Sequence, residues 1–405
     1  MMAKELYFIN DIFNLPDKNI ITLFKVNENK LEHNELDHIQ SLVVIDADNE
    51  LTHIGEGHFV YKKKEKFIKA NNDSMARRQV FINNVIRANL IKKYKSLHED
   101  DFKHQKASNI FSYHVNVGHG NCSIIVFTYN GKCKIWVVDC SEYDFLNHRK
   151  YTKYLDKCFS FIRNKFNLSD DVKINKLFIT HPHYDHFNGI NYLIRKNYLE
   201  GTEVWINLYY SWPDSSYNNV LNDLQKLNIT LKEPKFSNSN NVIEIMYPNE
   251  TILRVNPKDS TKYSCFSIVP KNKINNSSAI FKINLGDKSI IFPGDIEKDG
   301  WNKVESCYFH LDECTFYCLS HHGSINGYER EECRFFHNLN NIKYCCLNTK
   351  VNILMGRDGA YSGIFSPYVL NQFKGRIYRT DLNNINNKEP HFMELDWQKC
   401  KVIYY

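Results

Sequence analysis

A histidine- and aspartate-rich motif follows one short apolar segment of the sequence. The strand-like sequence KLFIT leads directly into HPHYDH at residues 181–186. In an extended backbone, His181 and His183 point to the same side and can bind one metal ion together. Asp185 and His186 lie where the chain turns into the next helix and can face a second ion. This mixture of imidazole and carboxylate ligands suits zinc, with manganese or iron as substitutes.

Two later apolar segments end in residues that would complete such a centre. One ends at PGD, where the glycine permits a sharp turn and Asp295 can bridge both ions. The other ends at SHHGS and offers a terminal imidazole from His321 or His322. Neighbouring rings rarely reach the same ion, so one of these histidines is expected to bind metal. The other can protonate the leaving oxygen or hydrogen-bond a phosphate, and the sequence does not assign the two roles.

Other polar residues could support these ligands or hold a substrate. Asp139 follows the apolar sequence KIWVV and fits a buried carboxylate that orients a metal-binding histidine, although a strand-terminating turn is the alternative. Four further residues are candidates for substrate binding, and turn chemistry explains them equally well. They are Ser277, Ser278, Ser324 and Asn326.

The elements that must position these residues are short strands with apolar residues at nearly every position. Such runs are typical of strands buried on both faces, which predicts a layered α/β sandwich. The predicted strands are Ser123–Phe127, Ile135–Val138, Lys176–Thr180, Ala279–Ile283, Ser289–Phe292 and Thr315–Leu319. Helices are predicted at Tyr151–Phe166 and Asn218–Leu227. Residues 1–108 have a different sequence pattern and contain no motif that indicates a chemical function.

The composition narrows the class of protein. Of the 405 residues, 42% are hydrophobic and 24% are charged, which excludes a disordered chain or a fibre. The net charge of +6 permits a phosphate-rich partner without requiring one. The twelve cysteines form no CxxC pair and are expected to be reduced. Neither a membrane-spanning segment nor a secretory signal is visible, so we expect a cytoplasmic protein without a membrane partner.

The order of these motifs resembles that of the metallo-β-lactamase superfamily. More narrowly, it is similar to the soluble hydrolase domain of ComEC-type DNA-uptake proteins and their stand-alone relatives. The similar segments are HVNVGHGNCS (114–123), VVDCS (137–141), THPHYDHFNGI (180–190), NNSSAIFKI (275–283), IIFPGDIE (290–297), SHHGS (320–324) and GRIYRTD (375–381). The resemblance covers about residues 113–400 and implies an αββα sandwich for the domain at residues 109–405. Residues 1–108 fall outside it, and we expect them to form an accessory α+β region of unknown role. The resemblance also implies a hydrolase with two divalent metal ions.

The sequence departs from the family pattern in two places. No histidine occurs between His186 and Asp295, which leaves only His181, His183 and Asp295 for the first ion. The opening motif has His119 where glutamine is usual and asparagine at residue 121 where aspartate is usual.

Two bound ions can activate a shared hydroxide and stabilise charge on a phosphoryl or acyl oxygen. We therefore expect a phosphodiesterase or nuclease that acts on a nucleic acid or nucleotide, with Asp185, His321 and His322 as catalytic residues. A hydrolase of another ester, such as a phosphocholine ester, lactone or thioester, is one alternative. Another is a metal-binding component of a larger system, for example in phage defence, that contacts a protein partner through residues 1–108.

Overall fold

The computed structural model describes residues 5–14, 19–33, 39–47, 51, 59–63, 66–70, 106–206, 215–232, 234, 242–247, 275–297, 301, 314–328, 349–361, 363–371, 373, 375–382 and 388–405. The chain forms two compact units. The first, here called the N-terminal unit, comprises Met1–Lys93, Leu208–Leu227 and Arg254–Lys273. The second, the sandwich unit, comprises Tyr94–Asn207, Asn228–Leu253 and Ile274–Tyr405. The predicted division into domains at residue 108 stays a prediction.

Short strands dominate the described part of the chain. They are β1 (Glu5–Asn14), β2 (Asn19–Val26), β3 (Ile39–Ala47), β4 (Phe59–Lys63), β5 (Lys66–Lys69), β6 (Ala107–Val115), β7 (Cys122–Tyr129), β8 (Lys132–Cys140), β9 (Tyr143–Asp144), β10 (Arg149–Lys150), β11 (Lys176–Phe178), β12 (Glu203–Trp205), β13 (Thr230–Lys232), β14 (Ile243–Tyr247), β15 (Ile280–Leu285), β16 (Lys288–Phe292), β17 (Phe316–Cys318), β18 (Val351–Leu354), β19 (Arg376–Arg379), β20 (Phe392–Asp396) and β21 (Lys401–Tyr404). The α-helices are α1 (Glu28–Glu32), α2 (Thr152–Phe166), α3 (Tyr184–Phe187), α4 (Ile190–Arg195), α5 (Ser215–Gln225) and α6 (Pro367–Leu370). The same described residues include 3-10 turns at Asn275–Ser277, Ser320–Gly323 and Ile325–Tyr328. All six predicted strands and both predicted helices are confirmed, with shifts of a few residues at their ends.

The N-terminal unit contains a five-stranded antiparallel sheet in the order β3-β2-β1-β4-β5. Alternate residues of β1 and β2 are apolar and pack together, because successive side chains of a strand point to opposite faces. Tyr7 and Ile9 of β1 are buried against Ile21 and Leu23 of β2. This unit also includes α5.

The sandwich unit is built from two mixed sheets. One has eight strands in the order β13-β12-β11-β8-β7-β6-β20-β21, and the other has six in the order β14-β15-β16-β17-β18-β19. Strands β8, β11, β12 and β13 run parallel to one another in the first sheet, as do β16, β17, β18 and β19 in the second. Both sheets therefore combine parallel and antiparallel pairing.

A single apolar core fills the space between the two sheets. Trp136 and Phe178 from the eight-stranded sheet lie in one buried cluster with Phe281 and Phe316 from the six-stranded sheet. The rings of Phe178 and Phe281 are 5.1 Å apart and meet edge to face across the layers. Burial of each such ring contributes about 1.5–3 kcal/mol. This packing fixes the spacing of the strand ends that carry the polar motifs.

Helix α2 packs on the outer face of the eight-stranded sheet, and the segment after α6 contacts the six-stranded sheet, in agreement with the predicted αββα sandwich. Helix α2 buries Leu155, Cys158, Phe159 and Ile162, whose spacing places them on one side of the helix. It packs on β6, where the rings of Tyr113 and Phe161 approach to 6.1 Å. On the other sheet, the outward-facing ring of Tyr317 stacks on Phe373 just after α6.

Strand ends from the two sheets meet at one edge of the sandwich unit. Because β8 and β11 are parallel, the residues that follow them lie side by side, and the same holds for β16, β17 and β18. The Ala279 amide donates a hydrogen bond to the Thr180 carbonyl across 2.7 Å, which links the two edges. Gly294 has a φ of +59°, and a Cβ atom there would lie 2.8 Å from Thr180 Cβ. Only glycine fits this turn without displacing Thr180.

The described cysteines are all free. In the part of the chain that the structure describes, none of the helices combines the length and the hydrophobicity that a membrane span requires.

Candidate metal centre

Asp139 lies at the end of β8 in the left-handed region, with a φ of +51°. Its carboxylate accepts hydrogen bonds of 2.8 Å from the backbone amide and from the hydroxyl of Thr180. It also lies 2.8 Å from His186 Nδ1. Because a carboxylate only accepts, Nδ1 carries a proton, and Nε2 is the ring nitrogen that faces away from Asp139. Asp139 thus contacts the ring of His186. Its role in orienting a metal-binding histidine stays a prediction.

Four buried side chains from three loops form the first cluster. The ligand atoms of Asp185, His186, Asp295 and His322 all lie within 4.8 Å of one another. His186 Nε2 is 3.2 Å from Asp295 Oδ1, and His322 Nε2 is 3.2 Å from Asp185 Oδ2. Residues from distant parts of the sequence therefore converge on one point.

A second cluster shares one residue with the first. The ligand atoms of His181, His183 and Asp295 also lie within 4.8 Å of one another. The rings of His181 and His183 are 4.8 Å apart, and the ring of His181 is 4.2 Å from that of His186. Asp295 therefore belongs to both clusters and lies between two sets of imidazoles. Its role as a bridge between two ions stays a prediction.

The two adjacent histidines at residues 321 and 322 occupy different places. Both have left-handed backbones, with φ values of +47° and +51°, so their side chains diverge. His322 Nδ1 donates to the Met355 carbonyl across 3.2 Å, which leaves Nε2 directed at Asp185. His321 Nδ1 instead lies 3.4 Å from Glu297 Oε1, and its Nε2 is 4.0 Å from Asp295 Oδ2. His322 belongs to the first cluster, whereas His321 lies beside both clusters.

The clusters fit a bound cation because several of their buried polar atoms have no hydrogen-bond partner among the described residues. Among the described residues, His181 Nε2, His186 Nε2 and Asp295 Oδ1 are buried without a hydrogen-bond partner. Buried polar atoms of this kind are costly unless something binds them. Imidazole nitrogens and carboxylate oxygens in this combination are ligands for zinc and related divalent ions.

Burial and the neighbouring charges shift the pKa values of the carboxyl groups and imidazoles in the two clusters. Burial alone would raise the pKa of Asp295, but the charges of His186 and His322 hold that pKa well below its usual range. Burial opposes the charged form of His322, yet Asp295 and the hydrogen bond to Asp185 raise its pKa to about 9. Burial lowers the pKa of His321 to about 4, so this ring is neutral at pH 7. The carboxylates thus retain the negative charge that attracts a cation.

The predicted substrate-binding serines lie near the centre but are engaged in turns. The Ser278 hydroxyl accepts a hydrogen bond of 3.0 Å from the Asp295 amide, and Ser277 is buried in the adjacent 3-10 turn. The Ser324 hydroxyl accepts from the Asn326 amide across 3.4 Å, and the Asn326 side chain is exposed. Their proposed contact with substrate stays a prediction.

Sequence reasoning did not select His119 and Tyr361 as site residues. His119 Nε2 lies 3.3 Å from Asp185 Oδ2, and its ring is 4.6 Å from that of His322. The Tyr361 ring is 5.4 Å from the His119 ring. The unusual histidine in the opening motif was the available signal for His119. For Tyr361 the sequence offered none.

Comparison with known families agrees with this geometry. Residues 166–330 match the family model described as the metallo-beta-lactamase superfamily. The matched segment is similar to a metallo-β-lactamase superfamily domain. The matched segment includes every residue of both clusters. This domain and the buried Asp/His cluster indicate a divalent cation site and a metal-dependent hydrolase.

Three of the solved structures that are similar to the chain illustrate the likeness. The metallo-beta-lactamase fold protein YhfI from Bacillus subtilis is 10% identical, with a TM-score of 0.34, and the match covers 67% of this chain and 96% of that one. Unliganded yeast PDE1 is 12% identical, with a TM-score of 0.27 and coverage of 52% and 75%. A point mutant of CmlA beta-hydroxylase is 13% identical, with a TM-score of 0.36 and coverage of 93% and 69%. No curated protein matches the chain.

Proposed function

We propose that this protein is a binuclear, zinc-dependent phosphodiesterase of the ComEC-like type that cleaves nucleic acids or nucleotides. The observation that carries the proposal is the position of Asp295, whose carboxylate lies within ligand distance of both clusters. His181 and His183 would hold one ion with Asp295. Asp185, His186 and His322 would hold the other with the same carboxylate. Two such ions, when bound, lower the pKa of a shared water and neutralise charge on a phosphoryl oxygen.

The ligand set favours a substrate that contributes an anionic oxygen. Only three protein ligands surround the first position among the described residues, whereas a closed structural zinc site has four. A phosphodiester oxygen would fill the remaining position. The net charge of +6 is compatible with a nucleic acid or nucleotide substrate.

His321 is placed to handle the proton of the leaving oxygen. Nδ1 of its ring faces Glu297, and Nε2 faces Asp295. Because burial lowers its pKa to about 4, the His321 ring is neutral at pH 7 and would act by a hydrogen bond to the phosphate or by exchanging a proton at Nε2. In this assignment His322 is the metal ligand, His321 contacts the phosphate or the leaving oxygen, and Asp185 is the catalytic carboxylate.

A substrate panel tests the proposal. The zinc-loaded protein should hydrolyse bis(p-nitrophenyl) phosphate, single-stranded DNA or RNA, and Asp185→Asn and Asp295→Asn should abolish cleavage. Asp156→Asn is the matched control, because Asp156 bonds Tyr192 and Lys196 away from the centre. Activity on acyl esters alone would reject the phosphodiesterase assignment. Two bound metals without any cleavage would favour a component that needs a protein partner, with residues 1–108 as the proposed contact.

A further inference from the structure

Tyr361 lies in the segment that follows β18, beside the metal centre. Its ring is 5.4 Å from the ring of His119, nearly perpendicular to it, and 6.1 Å from the ring of His321. These two histidines are far apart in the sequence of the sandwich unit. The loop that carries His119, at residues 116–121 between β6 and β7, is here called the opening loop. Tyr361 therefore packs between the opening loop and the SHHGS loop.

Backbone hydrogen bonds fix this segment to the SHHGS loop. The Phe365 amide donates to the His322 carbonyl across 3.4 Å, and the Ser366 amide donates to the Gly323 carbonyl across 3.0 Å. The position of the phenol is consequently coupled to the position of the metal-ligating imidazole at residue 322.

An ion pair ties the same segment to the opening loop. Arg357 Nε lies 3.3 Å from Asp144 Oδ2, and that oxygen also accepts a 2.9 Å hydrogen bond from the His119 amide. Asp144 is fully buried, whereas the Arg357 side chain is 32% exposed. Tyr361 is held from both sides before any substrate arrives.

The hydroxyl of Tyr361 is buried and makes no hydrogen bond of normal geometry with the described residues. Burial, followed by the charge of Asp295, raises its pKa well above the usual value, so the phenol stays protonated. The Ser324 side chain acts in the opposite direction, but its effect on this pKa is smaller. The hydroxyl is thus a buried donor beside His119 and His321, with no acceptor at hydrogen-bond geometry among the described residues.

We propose that the Tyr361 hydroxyl donates a hydrogen bond to an anionic oxygen of the phosphate group that occupies the centre. A buried, unpartnered donor is unfavourable in the free protein, and an incoming phosphate oxygen satisfies it. A hydrogen bond to a charged acceptor is stronger than one between neutral groups. This inference rests on the proposed phosphodiesterase function and names the residue that recognises the phosphate.

Inorganic phosphate tests this inference independently of cleavage. In isothermal titration calorimetry of the zinc-loaded full chain, Tyr361→Phe should weaken phosphate binding by about 10- to 100-fold, as expected for loss of one hydrogen bond to a charged group. Zinc content should be unchanged, and the melting temperature should not fall, because the lost hydroxyl leaves no acceptor behind. If the wild type cleaves a phosphodiester, its kcat/KM should fall by a similar factor.

Tyr404→Phe is the matched control. Its hydroxyl is likewise buried without a hydrogen-bond partner among the described residues, but it lies on β21 at the edge of the eight-stranded sheet. This variant should bind phosphate as the wild type does. Unchanged phosphate affinity in Tyr361→Phe, or no phosphate binding by the zinc-loaded wild type, overturns the inference. Phosphate binding that depends on Tyr361 in a protein that cleaves no phosphodiester would support it while rejecting the proposed function.

Discussion

Asp139 Oδ2 and His186 Nδ1 lie 2.8 Å apart, and both residues are buried from solvent. The carboxylate fixes the tautomer of the imidazole, so that Nε2 faces Asp295. Such partners orient metal-ligating histidines and increase their basicity. The proposed binding of an ion by His186 would therefore depend on a residue that is not itself part of the cluster.

Replacing Asp139 by Asn should weaken metal binding by about 10- to 100-fold, because a neutral amide supports the imidazole less well than a carboxylate does. Competition with a fluorescent zinc chelator measures this change. Asp156→Asn, which alters a carboxylate on α2 outside the centre, should leave affinity unchanged. An Asp139→Asn protein with wild-type zinc affinity would show that Asp139 only stabilises the turn at the end of β8.

The shared position of Asp295 predicts an unequal effect of ligand substitutions on metal stoichiometry. The wild type should bind about two zinc ions, since two clusters with ligand atoms at suitable distances are present. His183→Ala and Asp185→Ala should each retain about one ion, because each residue belongs to a single cluster. Asp295→Ala should lose most of both. Elemental analysis of dialysed protein measures these contents, and equal losses in Asp185→Ala and Asp295→Ala would contradict the bridging role.

Burial predicts that specific cysteines resist alkylation. Cys158 and Cys318 are buried, and burial raises the pKa of both thiols well above the usual value. At about pH 8 the reactive thiolate is therefore scarce, and it becomes available only on unfolding. Iodoacetamide should label Cys400, which is partly exposed, and should leave Cys158 and Cys318 unlabelled in the native protein. Peptide mass spectrometry with and without urea measures this, and equal native and denatured labelling of Cys158 would argue against its burial.

The sequence predicted the residues whose positions follow from local geometry. His181 and His183 could be paired because side chains two apart on an extended chain share a side, and their strand end lies beside that of Asp139 because β8 and β11 are parallel. Asp295 followed from the same reasoning on the second sheet.

The remaining features depend on contacts between distant parts of the chain. The choice between His321 and His322 rests on two left-handed backbones and on the Met355 carbonyl, none of which a local pattern reveals. His119 and Tyr361 reach the centre from loops whose paths are set by the Asp144 carboxylate. Periodicity describes strands well, but it contains no information on the courses of loops between them.

The opening loop supplies a final prediction, because Gly118 has a left-handed φ of +69° and tight surroundings. A Cβ atom there would lie 2.7 Å from Tyr151 Cε2 and 2.8 Å from Asp144 Cβ. Gly131 has a similar φ of +72°, but no atom lies within 4 Å of its Cβ position. Alanine at either position incurs the left-handed backbone cost of about 1–2 kcal/mol, whereas only position 118 adds an overpacking cost of about 1–3 kcal/mol.

Gly118→Ala should therefore lower the free energy of unfolding by about 1–3 kcal/mol more than Gly131→Ala. Urea unfolding of the zinc-free protein, followed by circular dichroism, measures the difference without a contribution from metal binding. Because Asp144 also holds the His119 amide and Arg357, its displacement should loosen the opening loop as well as the fold. Two variants of equal stability would show that Asp144 and Tyr151 can move aside without cost, and the loop would then not be a rigid support for the centre.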